Sequence, residues 1–260
     1  MSPHNTTLEE DSPIVFPPLA GNQLAGLIAD MISREPSRAT VESDRLLSTT
    51  LTVGLLTAAA ALILFTWLAH EILTDVTLAL DDRIRLALHS VASARLTTVM
   101  RALSLYGGPT GLAPLGILLA LIFLLKRWHR GALLVVVTMA GAGLLDTVLK
   151  LIFGRTRPAA FFDYPLPASL SFPSGHAFFA ASFFGGLAVL VSGRIRSRVL
   201  RAAVWVAAAA LILLVGVSRI YLGVHYPSDV LAGYAAAAVW VAAVAFGDRL
   251  VSHRRRQRSS

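Results

Sequence analysis

Apolar positions in this chain come in long unbroken runs, not in alternation or in a one-sided stripe. Six such stretches occupy residues 47–69, 108–125, 131–153, 175–192, 202–217 and 230–247. A hydrocarbon layer of ~30 Å takes about 20 helical residues to cross. Each run is near that length, the fifth only if it continues through Ser218. Backbone groups in lipid must be satisfied within the segment, and a helix does this. The pattern predicts an all-α protein: a six-transmembrane-helix bundle over residues 46–248.

The intervening segments are of a different kind. Between spans one and two, residues 73–107 place Ile84, Leu88, Val91, Val99 and Leu103 on an apolar stripe with Asp81, Asp82, Arg83 and Arg85 around it. This reads as one amphipathic helix lying at the outer membrane surface. Residues 1–45 are polar, with Pro13, Pro17, Pro18 and Pro36, and read as a tail in which residues 24–32 lie on the membrane. Residues 249–260 are a basic tail. Acidic residues Glu9, Glu10 and Asp11 stand where a signal peptide would carry basic ones, so no cleaved leader is expected.

Charge fixes the orientation. Only 15% of residues are charged, against about 25% in soluble domains, and the net charge is +8. Lys126, Arg127 and Arg130 follow the second span, Arg194, Arg196, Arg198 and Arg201 the fourth, and Arg249, Arg254, Arg255, Arg256 and Arg258 the sixth. Alternating helices put all three groups on one side, which should be cytoplasmic together with both termini. Trp128 and Trp205 near the inner ends, with Trp67 and Tyr226 near the outer ends, fit an interfacial belt. Arg83, Arg85, Arg95 and Arg101 break the rule from the outer side. The basic balance therefore speaks for anionic lipid and topology, not nucleic acid. With no cysteine in the chain, thiolate chemistry and disulfides are excluded.

On this topology the opposite, outer face collects Lys150, Arg155, Arg157, Ser174, His176, Ser218, Arg219, His225 and Asp229. A cation deep in a bilayer costs ~3 kcal/mol, so something compensates. An anion is the simplest account. Lys150, Arg157 and Arg219 offer charged donors. Ser174-Gly175-His176 opens the fourth span, and Pro227-Ser228-Asp229 the sixth, so two helix N-termini point the same way. Phosphate suits this better than carboxylate. The two imidazoles supply chemistry, as nucleophile or proton carrier. His225 lies four residues before Asp229 across Pro227, a bend that lets the carboxylate hold one ring nitrogen. Spacing alone does not fix which histidine attacks. Neither metal nor cofactor is called for.

Quieter readings stand beside these. Arg155 serves equally as a substrate contact or an exposed loop charge. Ser218 supports Arg219 or caps a helix. Asp146 pairs with Lys150 one turn away. Asp163 and Tyr164 are loop filler or shape access to the site. His70 and His89 are interfacial without a role, and Gly141 and Gly143 permit close helix packing.

Lys150 with six residues before Arg157-Pro158, then Pro173-Ser174-Gly175-His176, then Ser218-Arg219 with His225 and Asp229, resembles the type 2 phosphatidic acid phosphatase family, over residues 47–247. No motif position departs from the pattern. Soluble vanadium haloperoxidases share related motifs, but six spans argue against them. The resemblance implies that His225 becomes phosphohistidine, oriented by Asp229. His176 then serves as acid to the leaving oxygen and afterwards as base to water. Lys150, Arg157, Ser174, Gly175 and Arg219 hold the phosphoryl oxygens, and no metal or cofactor takes part. It implies a lipid phosphate substrate (polyprenyl diphosphate, phosphatidic acid, phosphatidylglycerol phosphate or lipid A phosphate), met on the extracytoplasmic face of a bacterial inner membrane, with membrane lipids around it and no obligate protein partner. Two alternatives keep the pocket: a phosphotransferase passing phosphate to another lipid, and a non-catalytic lipid-phosphate binding or transport protein.

Overall fold

The computed structural model describes residues 38–74 and 76–257. Most of the expected tail over residues 1–45, its surface piece at 24–32, and residues 258–260 lie outside them. Thr50–Ser260 forms one compact unit; of the other, Met1–Thr49, only the start of a helix is described. Among the described residues every regular element is helical. In chain order these are α1 (Arg38–Leu73), α2 (Leu78–Ser90), α3 (Ala94–Gly107), α4 (Pro109–Leu125) and α5 (His129–Phe153). Then come α6 (Gly175–Ser192, with a π turn at Ala181–Gly185), α7 (Arg198–Tyr221) and α8 (Pro227–Gln257).

Five stretches are long and apolar enough to cross a membrane: Thr52–Leu73, His129–Phe153, Gly175–Ser192, Arg198–Tyr221 and Pro227–Ser252. Helix α4 has 17 residues and continues from α3 through a 46° bend, giving up to six spans if that pair counts as one. Leu62, Ile63, Leu115, Ile117, Leu151 and Ile152 point outward and are exposed, as lipid-facing positions are. The protein is an integral membrane protein.

Helix α6 is the axis of the unit. Its apolar window is 44% buried, against 11% to 28% in the other four. Lipid supplies no hydrophobic drive between helices, so close approach of small residues holds them together. Ala142, Phe178, Ala181, Ala236 and Ala237 form such a contact between α5, α6 and α8. Gly141 is small for a reason: a Cβ there would lie 2.0 Å from the Trp240 ring, whose Nε1 donates to the Thr138 carbonyl at 2.9 Å. Helix α1 closes one side through Leu68, Ala69 and Ile72 against Phe172 and Ala232.

Residues 73–107 differ from the single amphipathic helix expected. They form α2 and α3, parted at residues 91–93, where the Ser93 Oγ accepts from the Leu96 N–H and starts a new helix. The polarity is mixed. Leu88 and Leu103 of the expected stripe pack inward, but Ile84, Val91 and Val99 are exposed, and Asp81 and Arg85 are buried against the protein. The misplaced arginines thereby find an account. Arg85 donates to the carbonyls of Ala159 and Gly223 and to Asp82, and Arg101 donates to the Phe162 carbonyl. Two of the four exceptions to the charge rule are spent on fixing the loop that follows α5.

Candidate active site

Four helix ends, the last turns of α5 and α7 and the first turns of α6 and α8, build the site with the loops between them. Helix α5 stops at Gly154, which takes the left-handed conformation (φ 62°) and donates to the Lys150 carbonyl, so Lys150 sits in the last turn. Its Nζ donates to both carboxylate oxygens of Asp146, at 2.9 and 2.7 Å, as the i, i+4 spacing led one to expect. This pair lies on the mouth of α6: a Cβ on Gly175 would be 2.9 Å from the Lys150 Nζ. The Ser174 N–H donates to the Asp229 carbonyl at 2.9 Å, tying the start of α6 to the start of α8.

His225 is 1% exposed and fixed from both ring nitrogens. Its Nε2 is 2.8 Å from the Arg157 Nη1. Arginine only donates, so Nε2 accepts and the ring proton is on Nδ1. Nδ1 faces the Asp229 Oδ2 at 3.3 Å. That oxygen also accepts from the Ser171 hydroxyl at 2.5 Å and the Tyr226 N–H at 2.9 Å, so the carboxylate cannot turn away. Burial pushes His225 down to about 3, and Asp229 opposes this only in part. The imidazole is therefore neutral through the physiological range, with its lone pair on Nε2.

The structure brings the sequence-expected residues to one pocket. The cations that bear on His176 are Arg219, Lys150 and Arg157. Arg219 is 1% exposed and donates to the Ser104 hydroxyl and, at 3.5 Å, to the Tyr164 hydroxyl. Two buried polar atoms here lack a partner, the Ser174 Oγ and the Arg219 Nε. Both suit an incoming oxyanion, alongside the first N–H groups of α6, which have no intrahelical acceptor.

Several details depart from expectation. Ser174 stands at the N-cap of α6, but its side chain makes no capping bond. Arg157 has no donor to spare: its five N–H groups go to the Ser169 carbonyl and hydroxyl, the carbonyls of Leu170 and Val224, and His225. It fixes the loop and the nucleophile first, and meets phosphate only by exchanging a partner. The start of α8 does not open onto the anion site, because the Ser228 N–H and hydroxyl both donate to Asp81. Ser218 donates to the Val215 carbonyl of its own helix. Arg155 is not an exposed charge; its side chain is 11% exposed and bridges Asp229 and Asp81.

Asp81 and Gly108 escaped the sequence reading, whereas Tyr164 was read as loop filler or as shaping access. Asp81 is 3% exposed, from the helix expected to lie on the surface. Tyr164 walls the pocket beside Arg219, its ring centroid 5.7 Å from the guanidinium. Gly108, between α3 and α4, lies against the catalytic candidate His176: a Cβ there would be 2.4 Å from the ring Nε2. Gly-Gly-Pro at 107–109 was the available signal for a close approach, but it read equally as a helix start. We expect Gly108→Ala to displace the His176 ring and lower turnover by about 10²-fold, with the folded state retained. Phosphate-release kinetics beside a thermal unfolding curve check this.

Fold and site together define an integral membrane protein with two histidines, Lys150, Arg157 and Arg219 gathered at one end of its bundle. Residues 131–249, which hold all three motifs, match the PAP2 superfamily. Over 173 residues the chain is 33% identical to phosphatidylglycerophosphatase B of Bacillus subtilis (strain 168), covering 65% of this chain and 84% of that protein. It is 37% identical over 107 residues to a lipid A 1-phosphatase of Rhizobium etli, covering 38% of this chain and 42% of that one. Among solved structures, a transmembrane PAP2 type phosphatidylglycerolphosphate phosphatase from Bacillus subtilis aligns with a TM-score of 0.69 at 28% identity, over 75% of this chain and 97% of the other. The chain belongs to the PAP2 superfamily, as the resemblance of its motifs implied.

Proposed function

We propose that this chain hydrolyses a lipid phosphate or diphosphate through a phosphohistidine on His225. The observation that carries the reading is the double fixing of His225, with Nδ1–H on Asp229 and the Nε2 lone pair accepting from Arg157, in a site that also holds the unpartnered Ser174 Oγ and Arg219 Nε. The Nε2 lone pair leaves its hydrogen bond with Arg157 and forms a bond to phosphorus while the bond to the leaving oxygen breaks. That oxygen takes its electron pair and a proton from His176. Water then attacks phosphorus, His176 takes a proton from it, and the N–P bond breaks to restore His225. Lys150, Arg219, Ser174 and the N–H of Gly175 hold the oxygens, and Arg157 joins by exchanging one loop contact. No step asks for a metal.

The named substrates of the relatives, a glycerophospholipid phosphate and a lipid A phosphate, support a lipid phosphate here. The same proposal takes six crossings, with α3 and α4 as one bent span, the histidine end on the extracytoplasmic face of a bacterial inner membrane and both termini inside. This orientation rests on Lys126, Arg127, Arg194 and Arg249, which lie at the other ends of the helices. In it α2 lies at the outer surface.

The test is phosphate release in detergent, with EDTA present, from phosphatidylglycerol phosphate, phosphatidic acid, lipid A and polyprenyl diphosphate. The expected result is release from at least one without an added acceptor, at a rate EDTA leaves unchanged. Turnover only with a second lipid makes the chain a phosphotransferase, and binding without turnover makes it a carrier. Loss in EDTA removes the metal-free route.

A further inference from the structure

A carboxylate from a helix outside every motif completes the electrostatics of the nucleophile. Asp81 in α2 accepts from the Ser228 N–H at 2.9 Å, the Ser228 hydroxyl at 2.6 Å and the Arg155 Nη2 at 3.1 Å. Arg155 in turn donates through Nη1 to the Asp229 Oδ1 at 2.7 Å and to the Ser228 Oγ at 2.7 Å. The Tyr226 ring covers its guanidinium at 4.1 Å. The side chains of Asp81, Arg155 and Asp229 are 4%, 11% and 0% exposed, so water screens this chain of charges little.

The sign of the sum decides what Asp229 does for His225. Phosphorylation of Nε2 puts positive charge on the ring, and Asp229 is its counter-charge. On the other side of the ring stands Arg157, 2.8 Å from Nε2. If Arg155 paired with Asp229 alone, the two would cancel, and the ring cation would face Arg157 without an anion. Asp81 returns one negative charge to the set. Two carboxylates around one guanidinium leave a net negative charge beside Nδ1, which offsets Arg157. Asp81 also holds the first turn of α8, from which Asp229 projects.

We propose that Asp81, acting through Arg155, is a positioning residue for the proposed phosphoryl transfer: it neutralises Arg155 so that Asp229 serves the imidazolium formed at His225. The inference rests on the phosphohistidine reading. It goes beyond that reading by predicting a charge-dependent rescue. Asp81→Asn keeps an acceptor for Ser228 and removes the charge. With purified full chain and a short-chain phosphatidic acid, kcat should fall about 10–100-fold with KM little changed, as for partners that act through another group. Asp81→Asn with Arg155→Met removes the uncompensated cation as well and should regain most of that loss. A merely structural Asp81 gives the opposite order, with the double variant below the single. A double variant at or below Asp81→Asn, or a single variant with wild-type kcat, overturns the proposal.

A second readout needs no substrate. Diethylpyrocarbonate acylates a neutral imidazole and creates a similar ring cation on the way. The acylation rate of His225, followed by mass spectrometry, should rank wild type first, the double variant next and Asp81→Asn last. If the wild type released no phosphate from any lipid while this order held, the phosphatase reading would fail and the charge relay would stand. Equal rates in all three would sink the relay whatever the turnover.

Discussion

Replacing His225 with alanine should lower phosphate release by on the order of 10⁴–10⁶-fold, the scale seen when a covalent nucleophile is removed. The physical reason lies in how little activation this group needs. A serine nucleophile must lose a proton as it attacks. His225 has no proton to lose at Nε2, because burial holds its pKa at about 3 and Arg157 keeps the proton on the other nitrogen; the lone pair has only to exchange the Arg157 hydrogen bond for phosphorus. Two neighbours are engaged otherwise: Lys150 is tied to Asp146, and Ser171 donates its hydroxyl to Asp229. The check is twofold. Wild-type enzyme quenched in alkali during turnover should carry phosphate in an acid-labile linkage, and His225→Ala should carry none. Since His225 is fully buried, its truncation also leaves a cavity, so a thermal unfolding curve must show the variant folded. A folded variant that still releases phosphate at a tenth of the normal rate would remove the nucleophile from His225.

How far the sequence could anticipate this site depends on where each residue's partners lie. Lys150 with Asp146, and His225 with Asp229, are pairs four residues apart, and local geometry alone brings them together. The spans were legible for a similar reason, since a run of about 20 apolar residues has few other places to go. The boundaries were less so: α5 begins at His129 and α8 at Pro227, because helices continue past the hydrocarbon for as long as caps and packing allow. Asp81 was not legible at all. Its partner Ser228 lies 147 positions away, and nothing local distinguishes an acid that turns inward from one that faces water. The pattern around it pointed the wrong way, because a stripe of Ile84, Val91 and Val99 faces lipid as readily as it faces a core. Arg157 illustrates a subtler limit. Its position in the motif implied phosphate binding, whereas its five contacts show a group first committed to the loop carbonyls and the nucleophile.

His176→Ala should separate the two half-reactions that the wild type runs together. Its ring stands at the second residue of α6, against Gly108 and among the cations of Lys150, Arg157 and Arg219. In the proposed mechanism it gives a proton to the leaving oxygen in the first half-reaction and takes one from water in the second. A lipid alkoxide is a far stronger base than a phosphate ion, so a phosphate monoester leans on that proton more than a diphosphate does. Loss of a general acid costs about 10²–10⁴-fold. The expected drop is therefore near that range for phosphatidic acid, where the first step becomes limiting and no phosphoenzyme builds up. With a polyprenyl diphosphate the first step should be slowed much less. Water attack still lacks its base, so phosphohistidine should accumulate and turnover should stall behind it. The measurement is rapid quench of both substrates, reading bound and free phosphate together. An equal loss on both, with no bound phosphate on either, would mean that His176 only shapes the pocket. The proton would then have to come from another group on the α6 mouth or from water.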